Sequence, residues 1–366
     1  VVFKINNIEV GRSNVTGGYA HLNYKLPPEI IAEDYMIVAQ FSAQYYENQS
    51  QWREFSVIRS NIKEDTLPER TIKTQNNLQI NEQLTDEHGE NLIGLTQIKV
   101  YINDTYIRDI AVNNGELNRI IPTDTLHGGV YNIRYEVAQS GLYNAKTINQ
   151  KLVIENKTAI ITIDTNTPKT MDILEINTTI LNLDNTPINT GEAVFKINGD
   201  SINETIIATV VVNNSNIKLN YTLPANMKEG RYTLSVEFRN EYYNTKIESK
   251  SVDVLPRGIR NITLDTTEIK TLQNMTINTQ LYDEYGQTLI GENSVDVLIN
   301  NIKVFNTTIS GGVLNITVAT DTLLSGQYNI TLLIHKNGIY DKLVVDSKLN
   351  ITNRDVDIIV MPNNPY

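Results

Sequence analysis

Apolar residues return at every second position in four places along the chain. Counted from a Tyr each time, they are Ile37, Ala39 and Phe41 after Tyr35, and Ile133, Tyr135 and Val137 after Tyr131. Leu234, Val236 and Phe238 follow Tyr232 in the same way, and Ile330, Leu332 and Ile334 follow Tyr328. Period two is the mark of a strand with one face in a core. A second Tyr comes eleven or twelve residues on, at Tyr46, Tyr143, Tyr243 and Tyr340. Nine and eleven residues beyond it stand Phe55 and Val57, Leu152 and Ile154, Val252 and Val254, and Leu349 and Ile351, which predict the last strand of a repeating unit. Upstream lie "FKIN" ending at Asn6, "VYIN" at Asn103, "FKIN" at Asn198 and "VLIN" at Asn300. The last three are preceded by "DEHGENLIG" from Asp86, "DNTPINTG" from Asp184 and "DEYGQTLIG" from Asp283, whose Asp, Asn, Gly and Pro supply turns. Earlier still, "AIITIDT" with "ILEINTTIL" and "RNITLDT" with "MTINTQLYD" read as paired strands.

The first Tyr recurs at spacings of 96, 101 and 96 residues. Each unit then holds about seven short strands and no helix. That predicts an all-β protein of tandem immunoglobulin-like β-sandwich domains in an elongated array. Propeller blades are roughly half this length and fit the period less well. The expected domains are 1–59 (incomplete, lacking its first strands), 60–157, 158–257 and 258–354, with 355–366 a strand-like tail. Tyr35, Tyr131, Tyr232 and Tyr328 match the place of the tyrosine corner, a ring packed inward with its hydroxyl bonded to nearby backbone. The junctions "IENKTAI", "VLPRGIRNI" and "ITNRDVDI" are short, which restricts hinging between units.

Composition narrows the function classes. The chain has 46 Asn, 38 Thr and 19 Tyr against 6 Phe, 1 Trp and no Cys, with 40% hydrophobic residues, enough to build cores. A net charge of −11 argues against a nucleic-acid partner, which needs a basic face. No apolar run has the length of a membrane span, and Val1 opens no signal-peptide pattern, so the expectation is a soluble chain, mature or cut from something longer. Without Cys there are no disulfides, thiolate metal sites or Cys nucleophiles. His21, His88, His127 and His335 stand at unrelated positions, without metal or triad spacing. "SGG" at Ser310 has no following helix to make a phosphate loop. The acidic pairs Asp86-Glu87 and Asp283-Glu284 are neighbours on one hairpin, whereas a glycosidase needs two carboxylates across a cleft. Turn formation is the preferred reading and weak calcium binding the alternative. No catalytic, cofactor or metal-binding residue is expected.

Asn-x-Ser/Thr is the abundant motif. It occurs 14 times, at Asn14, Asn48, Asn103, Asn156, Asn177, Asn203, Asn213, Asn220, Asn261, Asn274, Asn306, Asn315, Asn329 and Asn350, about twice what composition produces. Two readings compete. The sites are glycan acceptors of a secreted protein, or they follow from outward strand faces of Asn and Thr, because residues i and i+2 share a face. Asn261, Asn274, Asn315, Asn329 and Asn350 have the strand-face form. The sites thicken along the chain: two in 1–59, two in 60–157, four in 158–257 and six in 258–354.

The stretches "GRYTLSVEFRNEYYN", "SGQYNITLLIHKNGIY", "VFKINGD" and "YDEYGQTLIGE" resemble the Ig-like repeats of archaeal adhesin-like surface proteins and related bacterial adhesin modules. The resemblance covers essentially the whole chain. It implies extracellular display in long repeat arrays anchored elsewhere, carries no catalytic residue, and leaves the ligand open. The expected function is therefore a non-enzymatic, extracellular structural or adhesive surface protein. The alternative is a self-assembling filament or sheath subunit joined head-to-tail by strand complementation, with the tail completing the head of the next copy. The competing account of the two ends is an excerpt cut out of phase from a longer array. Expected partners are copies of itself, other cell-surface components and N-linked glycans, with no nucleic acid and no membrane span. An accessory segment of a secreted hydrolase would need a catalytic domain that these residues do not contain.

Overall fold

A computed structural model describes residues 1–95, 97–264 and 267–361 of the 366. The chain divides into two compact units, Val1–Lys157 with Glu241–Asn244, and Thr158–Asn240 with Thr245–Tyr366. The described residues contain strands and turns and no α-helix.

In the first unit, β1 (Val2–Ile5), β2 (Ile8–Arg12), β3 (Asp34–Ala43) and β4 (Tyr46–Ser56) form a single antiparallel sheet in the order β2-β1-β3-β4. No second sheet is laid across it by 1–59, so Ile37, Ala39 and Phe41 stay half-exposed, and of this row only Tyr35 is buried. Seven strands follow: β5 (Thr66–Lys73), β6 (Leu78–Gln83), β7 (Gln97–Ile102), β8 (Thr105–Ala111), β9 (Glu116–Ile121), β10 (Gly129–Val137) and β11 (Lys146–Glu155). They make one sheet in the order β5-β11-β10-β7-β8 and a ribbon β6-β9. Their inward rows, among them Ile80, Leu117, Ile133, Tyr135, Ile148 and Leu152, meet in one core. Each such fully buried aliphatic contributes about 1.5–3 kcal/mol.

The second unit repeats the plan twice. Its first half holds β12 (Ala159–Thr165), β13 (Ile173–Asn182), β14 (Glu192–Gly199), β15 (Ile202–Val211), β16 (Asn216–Thr222), β17 (Gly230–Arg239) and β18 (Lys246–Val254). These form the sheets β12-β13-β16 and β15-β14-β17-β18. Its second half holds β19 (Thr267–Lys270), β20 (Met275–Gln280), β21 (Glu292–Ile299), β22 (Ile302–Ser310), β23 (Val313–Val318), β24 (Gly326–Ile334) and β25 (Leu343–Thr352). Here the sheet is β19-β25-β24-β21-β22, with the ribbon β20-β23. Period two in the sequence becomes alternation in burial, with Leu234, Val236 and Phe238, and Ile330, Leu332 and Ile334, all inside. Two facing sheets of seven antiparallel-dominated strands define the tandem Ig-like β-sandwich.

Tight hairpins set the register. Asn6-Asn7, Asn103-Asp104 and Asn300-Asn301 all take φ between 43° and 68°, the left-handed pair of a two-residue type I′ turn that Asn and Asp tolerate best. Each first Asn also accepts a backbone N–H through Oδ1, from Met36 (3.0 Å), Asn132 (2.9 Å) and Asn329 (2.9 Å), tying the hairpin to the neighbouring strand.

Three expectations shift. β4 ends at Ser56, so Val57 lies beyond the last strand of the first repeat. "RNITLDT" does not copy "AIITIDT": β12 pairs with β13 along seven residues, whereas 260–264 lie outside any strand, and β19 pairs in parallel with β25. The last two residues of "RNITLDT", Asp265 and Thr266, lie outside the described residues. In 60–157 the first strand behaves like that of the last repeat, β5 running parallel to β11. The tail 355–361 forms no strand, and its remainder, 362–366, lies outside the described residues.

Candidate functional site

The four repeated tyrosines share one geometry. Their hydroxyls donate to the carbonyl four residues upstream: Tyr35 to Ile31 (3.1 Å), Tyr131 to His127 (3.0 Å), Tyr232 to Lys228 (2.7 Å) and Tyr328 to Leu324 (3.0 Å). Tyr35 and Tyr232 are buried, Tyr131 and Tyr328 half-buried. Two of the second tyrosines act as acceptors. Ile93 N–H donates to Tyr143 Oη and Ile290 N–H to Tyr340 Oη, both at 3.0 Å.

The acidic turns are used locally. Asp86 Oδ1 accepts the N–H groups of His88 and Glu90, and Asp283 Oδ1 those of Tyr285 and Gln287, closing the loop on its own backbone. Asp184 Oδ1 does the same for Thr186. The adjacent glutamates reach the residue that follows each junction: Glu87 accepts from Asn61 and Glu284 from Gly258. No cluster of His, Cys, Asp or Glu among the described residues has the arrangement of a metal site. His335 meets Asp296 at 2.9 Å, and His127 stacks on Tyr242 within the first unit at 5.3 Å.

Twelve of the fourteen sequon asparagines are exposed, and Asn156 and Asn350 are half-buried. Asn48, Asn177, Asn203, Asn220, Asn306, Asn315 and Asn329 stand exposed on strands; Asn14, Asn103, Asn213, Asn261 and Asn274 stand exposed in turns and loops. Asn261 and Asn274 were expected on strand faces. The first falls in the segment that leaves the sheet, and the second precedes β20, where its Oδ1 accepts Thr320 N–H at 3.1 Å. Asn156 is the enclosed one: its Oδ1 is buried without a partner, 2.4 Å from where a Cβ on Gly128 would lie.

Periodicity gave no sign of a further constellation, at the residue fourteen places beyond each second Tyr: Ser60, Lys157, Arg257 and Arg354. The three basic ones turn back on the loop after the first strand of their own repeat. Lys157 Nζ donates to Gln75 Oε1 (2.9 Å), Arg257 Nη2 to Asp172 Oδ1 (2.8 Å), and Arg354 Nε to Thr271 O (2.8 Å). In the second unit Arg257 also crosses to the next repeat. Its Nη1 donates to Asp283 Oδ2 (2.8 Å) and Gln287 Oε1 (3.1 Å), and its guanidinium lies 4.9 Å from the Tyr285 ring centre. The Arg257 side chain is 7% exposed and that of Asp283 1%. Burial works against the Arg257 charge, but the bonds it donates to Asp283 and Asp172 outweigh it and hold its pKa above the ordinary arginine value. In the first unit the corresponding place holds Ser60 beside Asp86, and a cavity of about 850 Å³ opens there, lined also by Pro27, His88, Leu142 and Tyr143. Nothing in these arrangements aligns a nucleophile, a base and an acceptor pocket.

The strand order and the tyrosine corners define the fold as tandem Ig-like β-sandwich repeats. No family model matches the chain, and no curated protein does. Among solved structures it is similar to a tetra-tandem repeat from the extending region of a large adhesion protein, at 11% identity over 88% of this chain and 82% of that one, with a TM-score of 0.43. An I-band fragment of titin aligns at 11% identity over 81% and 97%, TM-score 0.32. A Ca²⁺-stabilised adhesin with which an Antarctic bacterium binds ice aligns at 12% over 87% and 82%, TM-score 0.26. No helix of the described residues is long and apolar enough to cross a membrane.

Proposed function

We propose that this chain is a non-enzymatic spacer or adhesive segment displayed outside the cell. The observation that carries the reading is how its polar groups are spent. Turn carboxylates, repeated tyrosines and junction bases all bond to the fold, while neutral Asn and Thr face outward with twelve exposed sequons. A surface of that kind hydrates well without charge and accepts N-linked glycans. The resemblance of the sequence to Ig-like adhesin repeats supports it. Protease shaving of intact native cells, followed by peptide and intact-mass analysis, tests it. Surface release of glycosylated peptides is expected, and a wholly intracellular, unmodified chain would refute it.

A second reading, a self-assembling filament, draws on one observation. Val356, Ile358, Ile359, Val360 and Met361 are 76–83% exposed, an apolar run that another sheet edge would cover. Sedimentation of the full chain and of a variant without 355–366 separates the two readings. Polymers that vanish with the deletion favour the filament.

A further inference from the structure

We propose that the Arg257 guanidinium locks the two halves of the second unit, 158–256 and 258–354, into one orientation and one cooperative folding block. The inference stands on geometry alone and is independent of where the protein is displayed.

Three kinds of contact cross this junction. Backbone bonds fix its position: Arg257 N–H to Ile339 O (2.9 Å), Asp341 N–H to Arg257 O (2.8 Å) and Glu229 N–H to Gly338 O (2.6 Å). Thr170 Oγ1 adds a bond to Ile339 O at 2.7 Å. Lys169–Glu284 and Lys336–Glu229, both 2.6 Å, form a rim of ion pairs, each partner 25–48% exposed. Exposed pairs of this sort contribute about 0–1 kcal/mol. The third kind is the guanidinium, whose planar fork spans Asp172 on one half and Asp283 on the other while Tyr285 lies against it. Tyr285 also donates to Asp172 Oδ2 at 3.0 Å, so the ring and the fork grip the same carboxylate.

The two backbone bonds of Arg257 lie on the linker itself, and the off-axis bonds Glu229–Gly338 and Thr170–Ile339 narrow rotation about it without closing it. The fork closes it, because a planar group bonded at both Nη atoms tolerates little angular change. Asp283 gives the lock its strength. Any swing that withdrew Arg257 would leave a fully buried carboxylate without its countercharge, a costly state. The first unit supplies the contrast: Ser60 replaces the arginine, and Asp86 Oδ2 accepts no bond from it.

The chain has no Cys, so two introduced at the exposed Asn203 and Asn306 carry spin labels cleanly in the full-length protein. Pulsed dipolar spectroscopy of the otherwise wild-type chain should give one narrow distance. Asp172→Asn weakens the bond on one half while Asp283 stays paired, so both halves keep their folds. It should lose the single narrow peak while circular dichroism is unchanged. Arg257→Gln should broaden the distribution further and split the thermal transition of the unit in two. The exposed pair variant Arg231→Ala should leave both readouts as they were. A broad wild-type distribution, or an equally narrow one in Asp172→Asn and Arg257→Gln, overturns the proposal.

Discussion

At the residue scale, a hydroxyl and a carboxylate test whether the side chains described above stabilise the fold as their geometry implies. Tyr232→Phe removes the bonds of its hydroxyl to Lys228 O and Ser201 Oγ and leaves the buried ring in place, so thermal or urea unfolding should register a loss of about 0.5–1.5 kcal/mol per bond. The Asp296 carboxylate is held below its ordinary value by the bond from Lys303, with burial opposing and His335 adding to the effect. A depressed carboxylate contributes stability that is complete above its unfolded value of 3.8 and is lost as pH falls through the lower folded value. Asp296→Asn should therefore lose stability at neutral pH and flatten the acid limb of the stability curve below that value. An acid limb unchanged by the substitution would exclude Asp296 as a contributor. Arg257 belongs to this scale too, and it shows where pattern reading stops. Its partner Asp172 is 85 residues away. A pair so distant leaves no period in the sequence, although Lys157, Arg257 and Arg354 recur at one offset from a tyrosine that the pattern did mark.

At the scale of strands and turns, alternation predicted which residues face inward, because an inward row must be apolar whatever its neighbours. Leu234, Val236 and Phe238 were legible for that reason. The partner of a strand was not. "AIITIDT" and "RNITLDT" alternate alike, yet one joins β13 and the other gives way to a strand on β25. Edge choice is decided by the turn that follows and by what covers the sheet, which are tertiary facts. Turns give a sharper test. Gly312 has φ +70°, and a Cβ there would lie 2.7 Å from Leu281 O, whereas Gly311, with φ +65°, has nothing within 4 Å. Both alanine variants bear left-handed strain, and only Gly312→Ala adds a collision with backbone. Denaturant titration should rank Gly312→Ala as the more damaging, at about 1–3 kcal/mol. Equal losses would mean that strain alone is being read.

Across the whole molecule, the fourteen sequons make a prediction that a mass spectrum can count. If the chain passes a glycosylating compartment, Asn156 and Asn350 should be the poorly occupied sites, since both are half-buried, while the exposed twelve compete on equal access. Full occupancy at Asn156 would require its enclosed side chain to be modified before the fold closes over it. The pairing of first and last strands has a mechanical consequence. Parallel neighbours are entered at one end of the ribbon and left at the other, so tension on the flanking chain slides them lengthwise and loads every rung together. Antiparallel neighbours pulled at a shared end would open one rung at a time. β5 and β11 hold six such pairs and β19 and β25 four among the described residues, while the repeat 158–257 has only isolated parallel bridges, Lys157 with Tyr243 at its entry and Lys169 with Leu255. Stretched singly between a tip and a surface, the three complete repeats should yield first at 158–257 and last at 60–157, so that the middle one of the three lengthens under load before its neighbours tear.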